Sequence, residues 1–305
     1  MIYTLRHLTT YRYARPVRYA RCGLRLRAMD GEGQTVLDST LTITPEPRLR
    51  VVRRDYFGLD VVAVTIDTPH TELRVESLSR VEVARPPAPA PESGPPWERV
   101  RDDALARRSL APDAPVHFLF PSIRVPLAPE VTEYARASFP PGRSAYGGAF
   151  DLMQRMRADF RFDAKATSVR TPLAESFALR AGVCQDFAHI MIAGLRGLGL
   201  PAAYVSGYLR TIPPVGRPRL RGADASHAWV SVWCGQGWIG LDPTNGIVMC
   251  DDHIVVARGR DYADVSPIDG IVSSSGSQKL KVEVDVVPDG EPMPEATAAE
   301  AVGTA

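Results

Sequence analysis

Residues 85–96, Arg-Pro-Pro-Ala-Pro-Ala-Pro-Glu-Ser-Gly-Pro-Pro, hold six prolines in twelve positions and divide the chain. Proline has no amide hydrogen, so neither a helix nor an inner strand can run through this stretch; it reads as a linker or an extended strap. Before it the sequence has the character of strands. Residues 2–13, 22–27, 40–44, 48–56, 61–67 and 72–83 carry alternating or β-branched apolar positions between turn signals, and short strands at this spacing suggest a β-sandwich.

After the strap the signals change period. Weak helical stretches occur at 99–108 and 130–138, and a clearer one at 148–160 carries Leu152, Met153, Met156 and Phe160 on one face. Thr171 and Pro172 read as an N-cap and first-turn proline opening a short helix to residue 180. Phe187, Ile190, Met191, Gly194, Leu195 and Leu198 then follow helical spacing, so Cys184 falls in the first turn of a buried helix. Strands are expected at 203–209, 225–233 and 238–242, and Leu280, Val282, Val284 and Val286 alternate near the end. The expected fold class is α+β, with a β-rich domain at 1–85, a proline-rich linker and helical connection at 86–144, a catalytic core at 145–287 and a disordered tail at 288–305.

Composition narrows the possible functions. The 36 basic and 35 acidic side chains leave a net charge of +1, so no overall field marks a nucleic-acid or membrane binder. Eleven of the arginines fall within the first 54 residues against four acids, which reads as a solvated strand face before it reads as an anion-binding surface. No uninterrupted apolar run of membrane-spanning length occurs, and the first residues lack a basic region followed by an apolar one; a cytoplasmic protein is expected. Cys22, Cys184, Cys234 and Cys250 are far apart, which suggests neither a disulfide framework nor a zinc knuckle.

A cysteine nucleophile works as a thiolate, favoured by a helix amino terminus and by an imidazolium held in place by a third group. His227 lies in Asp224-Ala-Ser-His-Ala-Trp-Val-Ser-Val-Trp233, where Ala228, Val230 and Val232 alternate with it and should face a core, leaving His227 on the other face. Trp238-Ile-Gly-Leu-Asp242 continues as the second arm of a hairpin. A loop at 233–236 would set Val232 against Gly237 and, five pairs on, His227 against Asp242, within reach of a carboxylate–imidazole bond. A one-residue slip would turn Asp242 to the wrong face.

At this point the chain resembles the bacterial transglutaminase-like proteins of the papain-like cysteine enzyme superfamily. The resemblance rests on Gly182-Val-Cys184-Gln-Asp, on Asp224-Ala-Ser-His227-Ala-Trp-Val and on Gly237-Trp-Ile-Gly-Leu-Asp242-Pro-Thr-Asn, and covers residues 145–250 best. It implies a Cys184, His227, Asp242 triad acting on a peptide or protein amide, with the Cys184 backbone amide helping to hold the oxyanion and a thioester as intermediate. Hydrolysis is expected over crosslinking, no cofactor or metal is implied, and no Asp-x-Asp-x-Asp-Gly calcium loop is present. Trp229, Trp238 and Tyr208 are the expected walls of the substrate cleft. His189, five residues beyond Cys184, is read as structural, Cys22 as packing, and Cys250-Asp-Asp-His253 as a ligand-like cluster without a partner pair. The reading from another class is a silent module that recruits a partner through its arginine-rich β-domain.

Overall fold

The computed structural model describes residues 1–212, 221–222 and 224–294. Strands β1 (Ile2–Val17), β2 (Tyr19–Leu24), β3 (Gln34–Thr44), β4 (Leu49–Arg54), β5 (Asp60–Ile66) and β6 (His70–Val83) precede the proline-rich segment. Period-two alternation decides their faces: along β6, Leu73, Val75, Ser77, Ser79, Val81 and Val83 are buried while most of their neighbours are not. Beyond the segment come α1 (Trp97–Ala106), α2 (Pro129–Arg136), α3 (Ala145–Asp159), β7 (Arg161–Phe162), α4 (Leu173–Leu179), β8 (Ala181–Gly182), α5 (Cys184–Gly197), β9 (Ala202–Leu209), β10 (Ala225–Trp233) and β11 (Trp238–Asp242). The described chain ends with β12 (Ile247–Val248), β13 (His253–Gly259), α6 (Tyr262–Val265), β14 (Ile268–Ser273) and β15 (Gln278–Pro288).

The fold is α+β, as the sequence indicates. Two four-stranded sheets, ordered β15-β1-β6-β3 and β14-β2-β5-β4, form the sandwich, with Tyr13, Val17, Cys22, Leu24, Ile66 and Leu73 among the residues between them. Cys22 is therefore packing. A separate five-stranded antiparallel sheet, β12-β11-β10-β9-β13, carries α5 on one face.

Two sequence expectations need correction. The last two strands do not belong to a core that runs to 287: β14 pairs with β2, and β15 pairs with β1 from Tyr3↔Pro288 to Tyr13↔Gln278. Without them β1 and β2 would each present an open edge, and the alternation of residues 280–286 fits any sheet equally well. Nor does the tail begin at 288. Pro288 closes β15, Asp289 N–H donates to the Ile2 carbonyl and its carboxylate meets Arg80 at 2.8 Å; the rest of the expected tail, 295–305, lies outside the described residues. A smaller difference concerns α4, whose N-cap is Pro172 rather than Thr171.

The proline-rich segment is a strap. At one end the half-buried Arg85 guanidinium donates to the carbonyls of Glu32, Cys250 and His253; at the other, Pro96 bridges to Ser144. Sandwich and helical part share one core, in which Tyr3, Leu5, Val81, Val83, Val284 and Val286 join Phe187, Ile190, Met191 and Val230. The seam between them is therefore fixed by burial and not by the strap alone. Helix α2 reaches α5 at Gly194, where a Cβ would stand 2.8 Å from that of Ala135. Among the described residues, no helix is long and apolar enough to cross a membrane.

Candidate active site

Cys184 is the first residue of α5, half-buried, and its backbone N–H is one of the first-turn amides that the helix leaves unused. The turn before it is locked by Asp186. The Asp186 carboxylate accepts from Val183 N–H at 2.9 Å, Thr167 Oγ1 at 2.6 Å and Ser176 Oγ at 3.1 Å, so a buried acceptor is held at a helix amino terminus. Gly182 is required there: a Cβ would lie 2.5 Å from Asp186 Oδ2. The Gly-x-Cys-x-Asp motif is thus a device for fixing where the thiol points.

His227 and Asp242 do meet, Nε2 to Oδ2 at 2.7 Å, but through a different register from the one expected. Trp233 pairs with Trp238 and Val230 with Leu241, an offset of two residues. The loop is Cys234–Gly237, closed by Cys234 N–H on the Gly237 carbonyl at 3.0 Å with Gly235 at φ 95°, and the facing indoles pack 5.7 Å apart. A shift of two keeps every side chain on its face, so Asp242 approaches His227 diagonally and not squarely.

Asp242 is fully buried and fully used. Oδ1 accepts the backbone N–H of Thr244 at 3.0 Å and of Asn245 at 3.2 Å; Oδ2 takes Asn245 Nδ2 at 2.7 Å besides His227, and His253 Nε2 stands 3.3 Å away. The Asp-Pro-Thr-Asn turn therefore both forms the corner and aims the carboxylate. These donors hold Asp242 far below the usual carboxylate range, against the effect of burial. For His227, burial disfavours the charged ring, yet the bond to Asp242 and the contact with the Cys184 thiol outweigh it and push its pKa up to about 10. With Nε2 donating to Asp242, Nδ1 is left for the thiol.

The thiol opens into a cavity of about 600 Å³ at the seam, lined by Cys184, Gln185, Ser226 and His227 from the core and by His7, Thr9, Tyr11, Leu280 and Val282 from the sandwich. None of the three expected wall residues lines it. Trp229 is 0% exposed and packs edge-on to His253 at 5.1 Å, because the face of β10 opposite α5 is itself covered, by Val205, Val255 and Met249. Tyr208 is buried behind His7, its hydroxyl 2.9 Å from Nδ1. Trp238 packs on Phe118 and donates to the Asp113 carbonyl. Tyr204, Tyr262 and Tyr11 supply the aromatic surface instead. His189 is structural as expected, buried against Tyr204 and accepting Tyr262 N–H, with burial holding its pKa near 4.

Sequence reasoning missed His253 and the sandwich residues on the cavity wall. His253 carried a signal, its place in the Cys250–His253 cluster; His7, Thr9 and Tyr11 carried none, since only long-range pairing brings β1 here. His227, Asp242 and His253 also offer ligand atoms within 4.8 Å of one another, the group among the described residues that could hold a metal ion. The carboxylate oxygen they would share already accepts from His227, and a metal would have to break that bond.

Comparisons with known proteins bear on the family and the fold. Residues 3–82 match the family model of the bacterial transglutaminase-like N-terminal region, and residues 133–243 that of the transglutaminase-like superfamily. An uncharacterized protein of Mycobacterium tuberculosis is 41% identical over 295 residues, spanning 94% of this chain and 92% of that one. A protein-glutamine gamma-glutamyltransferase of Pseudomonas aeruginosa is 40% identical over 70 residues, only 22% of this chain and 10% of that protein. Among solved structures, a candidate cysteine protease from Cytophaga hutchinsonii superimposes with a TM-score of 0.72 over 97% of this chain and 94% of its own, at 20% identity, which bears on the fold alone.

Proposed function

The chain belongs to the bacterial transglutaminase-like family, and from that premise we propose that it is a cysteine-dependent enzyme acting on amide bonds of a peptide or protein through a thioester on Cys184. The observation that carries this is the 2.7 Å bond between His227 and Asp242, with Cys184 in contact with the same imidazole at the mouth of the cavity. The thiol gives its proton to His227 Nδ1, and the sulfur adds to the amide carbonyl. The Cys184 backbone amide meets the developing oxyanion. Collapse breaks the C–N bond, and His227 returns the proton to the leaving amine. Water activated by the freed imidazole then cleaves the thioester, giving a carboxylate and restoring the thiol.

Hydrolysis is favoured over crosslinking because, among the described residues, the cavity at the thiol is walled on one side by the sandwich sheet, which restricts the approach of a second polypeptide more than that of water. The test is to incubate the protein with a digest of mixed peptides and follow new carboxylates and amine adducts with and without an added primary amine. New acids that persist in the amine support hydrolysis. Adducts in place of acids would make it a transamidase, and no change in any peptide would favour the silent module. The cationic face behind that alternative is smaller than the composition suggests, since six of the eleven arginines, Arg6, Arg12, Arg25, Arg27, Arg48 and Arg54, have carboxylate partners. All four cysteines are free, which suits a reducing, cytoplasmic setting.

The pH dependence follows from the same groups. Asp242 is depressed, so the carboxylate stays charged well below the ordinary range and does not set an acid limb. His227 is raised to about 10, so the imidazolium persists through neutrality and is lost as pH rises through that value. A kcat/KM profile is expected to fall on its alkaline side near pH 10; an alkaline limb near 7 would mean that the pair is not coupled as described.

A further inference from the structure

Asp242 serves a second histidine. His253 is 0% exposed, with Nε2 3.3 Å from Asp242 Oδ2. Its other nitrogen, Nδ1, is approached by the backbone N–H of Cys250 at 3.3 Å and by the Cys250 thiol at 3.5 Å. A backbone N–H can only donate, so Nδ1 is the acceptor and the ring proton of neutral His253 sits on Nε2, facing the carboxylate. This is the arrangement of Cys184, His227 and Asp242 repeated with a different thiol, and the two imidazoles flank one oxygen with ring centres 6.2 Å apart.

We propose that Cys250 is a second activated thiol, built on His253 and the Asp242 carboxylate that it shares with His227, and that it is a modification site for small soft electrophiles. Unlike Cys184 it lies at the surface, outside the substrate cavity, so reagents reach it without entering the cleft. The turn that presents it is rigid: the Arg85 guanidinium donates to the Cys250 and His253 carbonyls at 2.9 and 2.8 Å. That guanidinium is also close enough for its charge to interact with Cys250. Asp252 opposes ionisation, but its carboxylate is engaged by Arg210 and the Tyr3 hydroxyl, and Asp251 accepts Arg85 N–H. The contact with His253 holds the Cys250 thiol below its ordinary range, whereas burial raises Cys22 and takes Cys234 up to about 12. In the reaction the thiol proton passes to His253 Nδ1, which gives up its long contact with the Cys250 N–H, the sulfur forms a bond to the electrophilic carbon, and the leaving group departs with its electron pair.

The experiment is timed iodoacetamide labelling of the full-length Cys184→Ala protein at pH 6 to 7, read by peptide mapping against glutathione in the same tube. Because labelling is read at Cys250 in a chain without the Cys184 thiol, the result is independent of whether the amide chemistry is right. Cys250 is expected to label roughly tenfold or more faster than glutathione, with Cys22 and Cys234 silent, and His253→Gln should bring its rate down to that of glutathione. Cys250 labelling no faster than glutathione overturns the proposal, as does fast labelling that survives His253→Gln. If His253→Gln does not fold, the pH dependence of the parent's labelling decides: a midpoint below that of glutathione supports activation, and a coincident one removes it.

Discussion

Replacing Cys184 by alanine is expected to lower turnover by roughly 10⁵-fold or more, the scale seen when the nucleophile of a catalytic unit is removed. The fold should survive. Cys184 is half-buried at a helix start whose geometry is set by Asp186, Gly182 and Val183, and none of those contacts uses the thiol. The loss of one sulfur there costs about 1 kcal/mol or less, a shift in Tm of at most a few degrees for a chain of this size. Turnover of a digest and a thermal melt, measured on the same preparation, check both halves. Undiminished turnover would take Cys184 out of the mechanism, and an unfolded variant would mean that the thiol is a packing group.

Asp242→Asn should cost about 10³ to 10⁴ in kcat/KM, because an amide nitrogen placed at Oδ2 would face N–H donors and His227 would lose the tautomer that leaves Nδ1 for the thiol. From the residues alone the loss is expected mainly in rate. The structure adds a stability term: the buried carboxylate accepts from His227, Thr244 and Asn245, so a drop of about 2 to 4 kcal/mol should accompany the slower rate. A denaturant midpoint measured beside the rate separates the two. An unchanged rate removes Asp242 from the triad, whereas a rate loss with unchanged stability would mean that the Asp-Pro-Thr-Asn turn does not depend on the carboxylate.

Much of the site was legible in the residues because its parts are local. Helical spacing from Phe187 to Leu198 placed Cys184 at a helix start, and period-two alternation placed His227 and Asp242 on one face of a hairpin. The same alternation misled on Trp229. A strand bearing aliphatic residues on one side suggests an open opposite face, but β10 is an inner strand between β9 and β11 and both its faces are covered.

Local pattern in the residues is enough for the α+β class, the order Cys184, His227, Asp242, and the parity that brings the last two to the same side of a sheet. Long-range packing sets the two-residue offset of the hairpin, the return of β14 and β15 to the sandwich, and the meeting of His253 with Asp242. The reason is physical: a repeat of two or 3.6 residues is written into neighbouring side chains, so it fixes faces. It says nothing about which distant strand supplies the missing edge, or how far one arm slides before a loop and a pair of indoles lock it.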